Sequence, residues 1–187
     1  MGIRGERADA RALASRLGLR LEEARKEIEQ LKRLGLVVLD GKSARLTAKG
    51  RKSIRVVFIG GGFELIHYGH VYTISKAKGL GDVLVVSVAR DSTIRKRKKR
   101  EPLINEEDRV RLLSSLRQVD AAILGVEGDI YVTLQKVKPD IVALGYDQYH
   151  LEGEVKRESA KRGMKLRVVR LDSPYPKIKT TRILKEL

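Results

Sequence analysis

Two histidines three residues apart, His67 and His70, stand close behind the glycine triplet Gly60-Gly61-Gly62, and the whole chain holds only three histidines. Four apolar residues, Val56-Val57-Phe58-Ile59, run into those glycines. Such a run reads as a buried strand ending in a turn where backbone can approach a ligand closely. At i and i+3 the two imidazoles share one face of a first helical turn. That turn also offers unpaired backbone N–H groups and the positive end of the helix dipole. The segment Val56–His70 therefore has the chemistry to hold the phosphate tail of a nucleotide.

The elements that must position these groups follow from the pattern after Ile54. Strands are expected at Val56–Ile59, Val83–Val88, Ala121–Leu124, Ile141–Leu144 and Leu166–Val169. Helices are expected near His70–Lys78, Glu106–Leu116, Ile130–Lys136, Glu154–Lys161 and Thr181–Leu187. Apolar strands alternating with amphipathic helices predict an α/β fold, a Rossmann-like parallel sheet with helices on both faces. In such sheets ligands bind beyond the carboxyl ends of the strands. The glycine turn with its histidines, a basic loop after Ala89, and Gly145-Tyr146-Asp147-Gln148 all follow strand ends, so they should converge on one cleft.

Residues 1–52 read differently. Ala12, Leu13 and Leu17 share a helical face, Gly18 breaks it, and Leu21, Ala24, Ile28, Leu31 and Leu34 resume it until Gly35. Leu36–Leu39 and Ala44–Leu46 read as strands joined by a tight Asp40-Gly41 turn. Helices followed by a short hairpin resemble a winged helix-turn-helix module, with Thr47–Ser53 as the junction to a second domain over residues 53–187. Fourteen Lys and Arg against seven Asp and Glu over residues 1–53 leave this part at +7. Arg20, Arg25, Lys26, Lys32 and Arg33 could face DNA phosphates, but Glu22, Glu23, Glu27 and Glu29 on the same helix would repel them. A docking or dimerisation unit is the competing reading, and a homodimer is compatible with it.

The chain of 187 residues is 42% apolar and 34% charged, enough for one sizeable core or a small plus a medium domain. A net charge of +16 and a pI near 10.2 predict attraction to nucleotides, nucleic acid or acidic surfaces. The same excess suits a charge-rich surface adapted to high temperature. There is no cysteine, which excludes disulfides and thiolate metal sites. No apolar run reaches membrane-spanning length and the N-terminus lacks a signal-peptide core, so the expectation is a cytoplasmic protein without membrane association.

His67-Tyr68-Gly69-His70, set after a strand and glycine turn, resembles the His-x-Gly-His signature of the cytidylyltransferase-like branch of the nucleotidyltransferase superfamily. Within that branch Val88–Asp91, Val119-Asp120, Glu127–Asp129 and Pro139–Gln148 are most similar to archaeal FAD synthases, over residues 55–187. The resemblance implies that a substrate phosphate attacks the α-phosphorus of a nucleoside triphosphate and that pyrophosphate leaves. ATP with FMN is the first expectation, and CTP with glycerol 3-phosphate or a similar phospho-alcohol the second. A DNA-binding regulator with a nucleotide-sensing C-terminal domain is the reading from another class, against which the intact histidine pair stands. A divalent cation, Mg2+, is implied by the triphosphate rather than by any ligand cluster.

On this resemblance His67 and His70 are the catalytic donors, neutral because a helix N-terminus lowers their pKa values. Gly61, Gly62, Phe63, Tyr68 and Gly69 would line the nucleotide, together with Gly145 and Asp147. Lys177–Ile183 resembles a cytidylyltransferase signature in which Thr180, Thr181 and Arg182 meet the outer phosphates, a plain helix cap being the alternative. Tyr175 could stack on a ring or simply pack. In the run Arg95–Arg100, Lys98, Lys99 and Arg100 are expected at the phosphates, although a run this dense also suits nucleic acid. Arg109, with Arg111 behind it, is expected at the acceptor or in surface ion pairs. Where relatives read Gly-Thr-Phe-Asp this chain has Gly61-Gly62-Phe63-Glu64, Tyr68 stands where proline is common, and Lys179 stands for serine.

Overall fold

The apolar strands that the sequence announces at Val56, Val83 and Ile141 are largely buried, those at Ala121 and Leu166 only partly, and together they organise the larger of two compact units, Met1–Ile54 and Arg55–Leu187. The computed structural model describes residues 8–178 and 180–183. Among these, no helix is long and apolar enough to cross a membrane.

The first unit runs β1 (Ala8–Asp9), α1 (Ala10–Leu17), α2 (Leu21–Arg33), β2 (Val37–Asp40), β3 (Ser43–Leu46) and α3 (Ala48–Lys52). Its strands form an antiparallel sheet in the order β1-β3-β2. Asp9 caps α1 by accepting from the Ala12 amide at 2.6 Å, and Gly18 ends that helix at φ 65°, where glycine carries no side-chain penalty. The stretch expected as a plain junction is instead the helix α3, capped by Thr47 at the Gly50 amide. A side chain on Gly50 would start 1.9 Å from the Leu36 carbonyl oxygen, so only glycine lets α3 approach that chain. Ala14, Ala24 and Ile28 are buried, whereas Leu17 is 62% and Leu34 51% exposed. The expected apolar face is thus covered only in part, because strands of two to four residues are too small to shield all of it.

The second unit alternates β4 (Val56–Gly61), α4 (Tyr68–Lys78), β5 (Val83–Val88), α5 (Asp91–Lys98), α6 (Glu106–Ser114) and β6 (Ala121–Leu124). It continues with α7 (Ile130–Val137), β7 (Ile141–Leu144), α8 (Glu152–Lys161), β8 (Arg167–Arg170) and α9 (Thr180–Ile183). The sheet is parallel throughout, in the order β6-β5-β4-β7-β8. Val57, Ile59, Leu84, Val86, Val88, Ile141 and Ala143 join Ile74 of α4 and Leu113 of α6 in one core. The expected α/β class holds, and β8 begins at Arg167, one residue later than the expected Leu166.

Arg90–Arg100, expected as a basic loop, is largely the helix α5. Only Ile94 of that helix is buried, so no apolar period announces it, but lysine and arginine are good helix formers. The whole chain order reverses between β4 and β7: the chain builds β5 and β6 on one side of β4, then returns to build β7 and β8 on the other. A crevice opens where that reversal occurs, beyond the carboxyl ends of β4 and β7.

Candidate active site

The glycine turn leaves β4 directly into this crevice. Phe63 sits at φ 50° and is buried, a left-handed conformation that is strained for an aromatic residue and persists only when its surroundings hold it. Its ring folds back over Gly61, where a side chain would start 2.9 Å from the ring, so the glycine is required. The Gly61 carbonyl accepts from the Ala89 amide and the Gly62 carbonyl accepts from Arg109. His67 then caps α4 through its carbonyl, which accepts from the His70 and Val71 amides at 2.9 and 3.2 Å.

The two imidazoles stack with ring centroids 3.9 Å apart, and His70 also lies 5.3 Å from the Phe63 ring. Gly69 makes room for this: a side chain there would start 3.1 Å from His67 Nδ1. The Nδ1 atoms of both histidines are buried and have no hydrogen-bond partner in the protein. Buried polar atoms left open in this way call for an explanation, and a ligand is one. Burial first, then the neighbouring His67, pushes the His70 pKa down to about 4, against a raising pull from the Leu65 backbone and Asp147. Burial also lowers His67, against Asp147. Both shifts favour the neutral state expected from the sequence, with burial rather than the helix dipole as their leading cause.

One cavity of about 230 Å³ is lined by Gly61, Gly62, Phe63, His67, Gly69, His70, Lys98, Gly145, Asp147, Tyr175 and Thr180, all named from the sequence. Thr73, not singled out there, joins them, as do Tyr146 and Gln148 of the expected Gly145–Gln148 stretch and Ile178 of the Lys177–Ile183 stretch. Gln148 ties the loop after β7 to the glycine turn by donating to the Gly60 carbonyl while accepting from the Gly145 amide. Arg170 anchors the same loop through the carbonyls of Gly145, Gln148 and His150. Gln148 was visible in the motif after Leu144, but Arg170 sits in a strand and gives no local signal. A more open hollow of about 330 Å³ lies near Arg90, Asp91 and Glu106, where Arg90 pairs with Glu106 at 3.0 Å.

Several expected site residues fall elsewhere. Arg109 does not line the cleft: it is fully buried, donating to the Ile104 and Gly62 carbonyls and to Asp91. It braces the glycine turn against α5 instead of reaching an acceptor, because no part of its guanidinium meets solvent. Lys99 is exposed with φ 54° and does not line the cleft, and Arg100 is engaged with Glu64. Tyr68 is 58% exposed and meets Tyr175 edge to face at 4.8 Å, just outside the lining. Arg182 is exposed and is also absent from the lining. The side chain of Thr181, Lys179 and the stretch 184–187 lie outside the described residues.

Glu64, noticed in the sequence only as a departure, is buried and accepts from Lys98 and from Arg100 at 2.7 and 3.1 Å. Burial pushes its carboxyl upward, but the Arg100 and Lys98 hydrogen bonds and charges outweigh that and hold it below the ordinary carboxylate value. Among the described residues no group of three or more His, Cys, Asp or Glu is placed to hold a metal ion.

Comparison with known proteins supports the fold. A family model described as cytidylyltransferase-like matches residues 58–186, and one described as the HemN C-terminal domain matches residues 1–52. The chain is similar to the FAD synthase of Archaeoglobus profundus, 49% identical over 118 residues, 63% of this chain and 74% of that protein. It is similar to the FAD synthase of Methanothermus fervidus, 47% identical over 132 residues, 68% of this chain and 90% of that protein. Among solved structures, the lipopolysaccharide core biosynthesis protein of Thermoplasma volcanium GSS1 superposes with a TM-score of 0.62 at 43% identity, over 64% of this chain and 98% of that one.

Proposed function

The chain belongs to the cytidylyltransferase-like family, and from that premise we propose that it is an FMN adenylyltransferase, an FAD synthase. One observation carries the reading: the paired histidines and the glycine turn line a single cleft at the sheet's reversal point, in a chain 47–49% identical to proteins named FAD synthase. An FMN phosphate oxygen attacks the α-phosphorus of ATP, a new P–O bond forms, the bond to the β-phosphate's bridging oxygen breaks, and pyrophosphate carries away the electron pair. The protein's work is positioning and stabilising the charge that builds on the α-phosphate and leaving group.

His67 and His70 act as neutral donors to those oxygens, supported by their depressed pKa values and their place in the cleft lining. The amides of the Gly61–Phe63 turn and the first turn of α4 face the same charge. Gly145, Asp147 and Tyr175 take the nucleoside side of the cleft, and Thr180 faces the outer phosphates. Mg2+ would accompany the triphosphate. Asp147, the carboxylate lining the cleft, is the protein group that would face it. The cation, where bound, would neutralise charge on the leaving group.

Residues 1–52 act as a winged-helix-like docking or regulatory module. The β2–β3 hairpin at Asp40-Gly41 supports the shape, and the pairing of Arg20 with Glu23 and Lys32 with Glu29 favours protein contacts over DNA phosphates. The deciding experiment follows pyrophosphate release with ATP or CTP, each offered with FMN or glycerol 3-phosphate. ATP with FMN is expected to give pyrophosphate and FAD. Turnover confined to CTP with glycerol 3-phosphate would overturn the reading.

A further inference from the structure

The cleft has two chemically different flanks. On the β7 and β8 side stand Tyr146, Asp147, Tyr175 and Ile178, aromatic and polar groups suited to a nucleoside. On the β5 side stands the end of α5 with Lys98, and the histidines at the end of β4 separate the two. We propose that Glu64 is a positioning residue for the incoming acceptor phosphate: from its buried site, where Arg100 braces it, it holds Lys98 at the β5 flank. This rests on the adenylyl-transfer reading and names which side of the cleft the acceptor's phosphate enters.

The local geometry is built for that task. Lys99 ends α5 in the left-handed conformation, φ 54°, its amide bonded to the Arg95 carbonyl. That single turn lets Lys98 and Arg100, two residues apart, both reach the one carboxylate. The Glu64 side chain is 0% exposed while those of Lys98 and Arg100 are 36% and 31% exposed, so the anion is sealed beneath and the cations face outward. A side chain on Gly62 would start 3.9 Å from the Lys98 ammonium, which places that charge over the glycine turn. It is also close enough for His70 to feel it.

One carboxylate against two cations leaves the cluster one positive charge in excess, facing a phosphate monoester that carries nearly two negative charges at neutral pH. Without the carboxylate, two long and mutually repelling side chains would have to be ordered by the substrate itself, at its own entropic cost.

The test is steady-state kinetics of Glu64→Gln with FMN and ATP varied separately. The KM for FMN should rise roughly tenfold or more, as displaced positioning groups allow, while the KM for ATP stays within about twofold. Glu64→Asp, which keeps the charge, should fall closer to the parent than Glu64→Gln. In a Lys98→Met background Glu64→Gln should add less than about twofold, because both changes break one linkage. An unchanged or lowered FMN KM, a rise confined to ATP, equal effects of Gln and Asp, or full additivity would each overturn the proposal. If Glu64→Gln does not fold, Lys98→Met and Arg100→Met, both at half-exposed cations, decide it, and an unchanged FMN KM in both would overturn it. A parent protein that makes no FAD would strike the reaction itself, a distinguishable failure.

Discussion

Neutral imidazoles fit this cleft because a group that is uncharged at working pH can still donate to an oxygen whose charge grows in the transition state. In the free protein an NMR titration of His70 should therefore show a midpoint near 4, far below the ordinary 6.5. A non-hydrolysable ATP analogue should raise that midpoint, since a nearby anion favours the imidazolium. An unmoved midpoint would separate the pair from the phosphates. The same shift sets a pH dependence of stability. The unfolded chain takes up a proton near 6.5 that the folded one refuses until about 4, so stability is full above the first value and is lost as pH falls toward the second. Urea midpoints across that window should show the decline, and it should flatten in His70→Gln. His67→Ala should cost on the order of a hundredfold in turnover, as for a lost transition-state donor. The histidine pair was legible because both members lie within one turn, whereas Glu64 drew notice only as a departure and its partners lie more than thirty residues away.

A helix and a turn in this fold depend on each other. Arg109, on α6, bonds the Gly62 carbonyl next to the strained Phe63 and grips Asp91 at the start of α5. Replacing it with methionine removes the buried partner of Asp91 and the support of the turn. The cost should be about 3 kcal/mol or more, the scale for breaking a buried ion pair, read by urea unfolding. Activity per folded molecule should fall as well if the turn holds phosphate. The family resemblance placed Arg109 at the acceptor, with surface ion pairs as the alternative, and it is in fact paired, but inside the protein with Asp91. Its burial could not be read locally, since its partners come from the glycine turn and α5. α5 itself was missed for the opposite reason, having one buried residue, Ile94, and no period to read.

At the scale of the molecule, the reversal of strand order between β4 and β7 is what brings the glycine turn and the Gly145–Gln148 loop to one cavity. A net charge of +16 should draw anionic substrates toward it. If so, kcat/KM for ATP and FMN should fall as ionic strength rises, with kcat nearly constant, and a flat response would assign the charge to another purpose. Removing residues 1–54 should leave FAD formation within a few-fold of the full chain if that unit docks or regulates. A folded but inactive remnant would make it part of the catalytic machinery.

Strand and helix periods, the glycine turn and the His-x-Gly-His spacing are local properties, written in neighbouring residues, so the α/β class and the heart of the cleft followed from the sequence alone. Which cations face the cleft and which are consumed inside the protein depends on partners far apart in the chain. Lys98 and Arg100 meet Glu64, Arg109 meets Gly62 and Asp91, and Arg170 meets the loop after β7 only once the sheet has closed. A charged side chain's role is set by the burial and pairing it finds, and those arise from the tertiary fold.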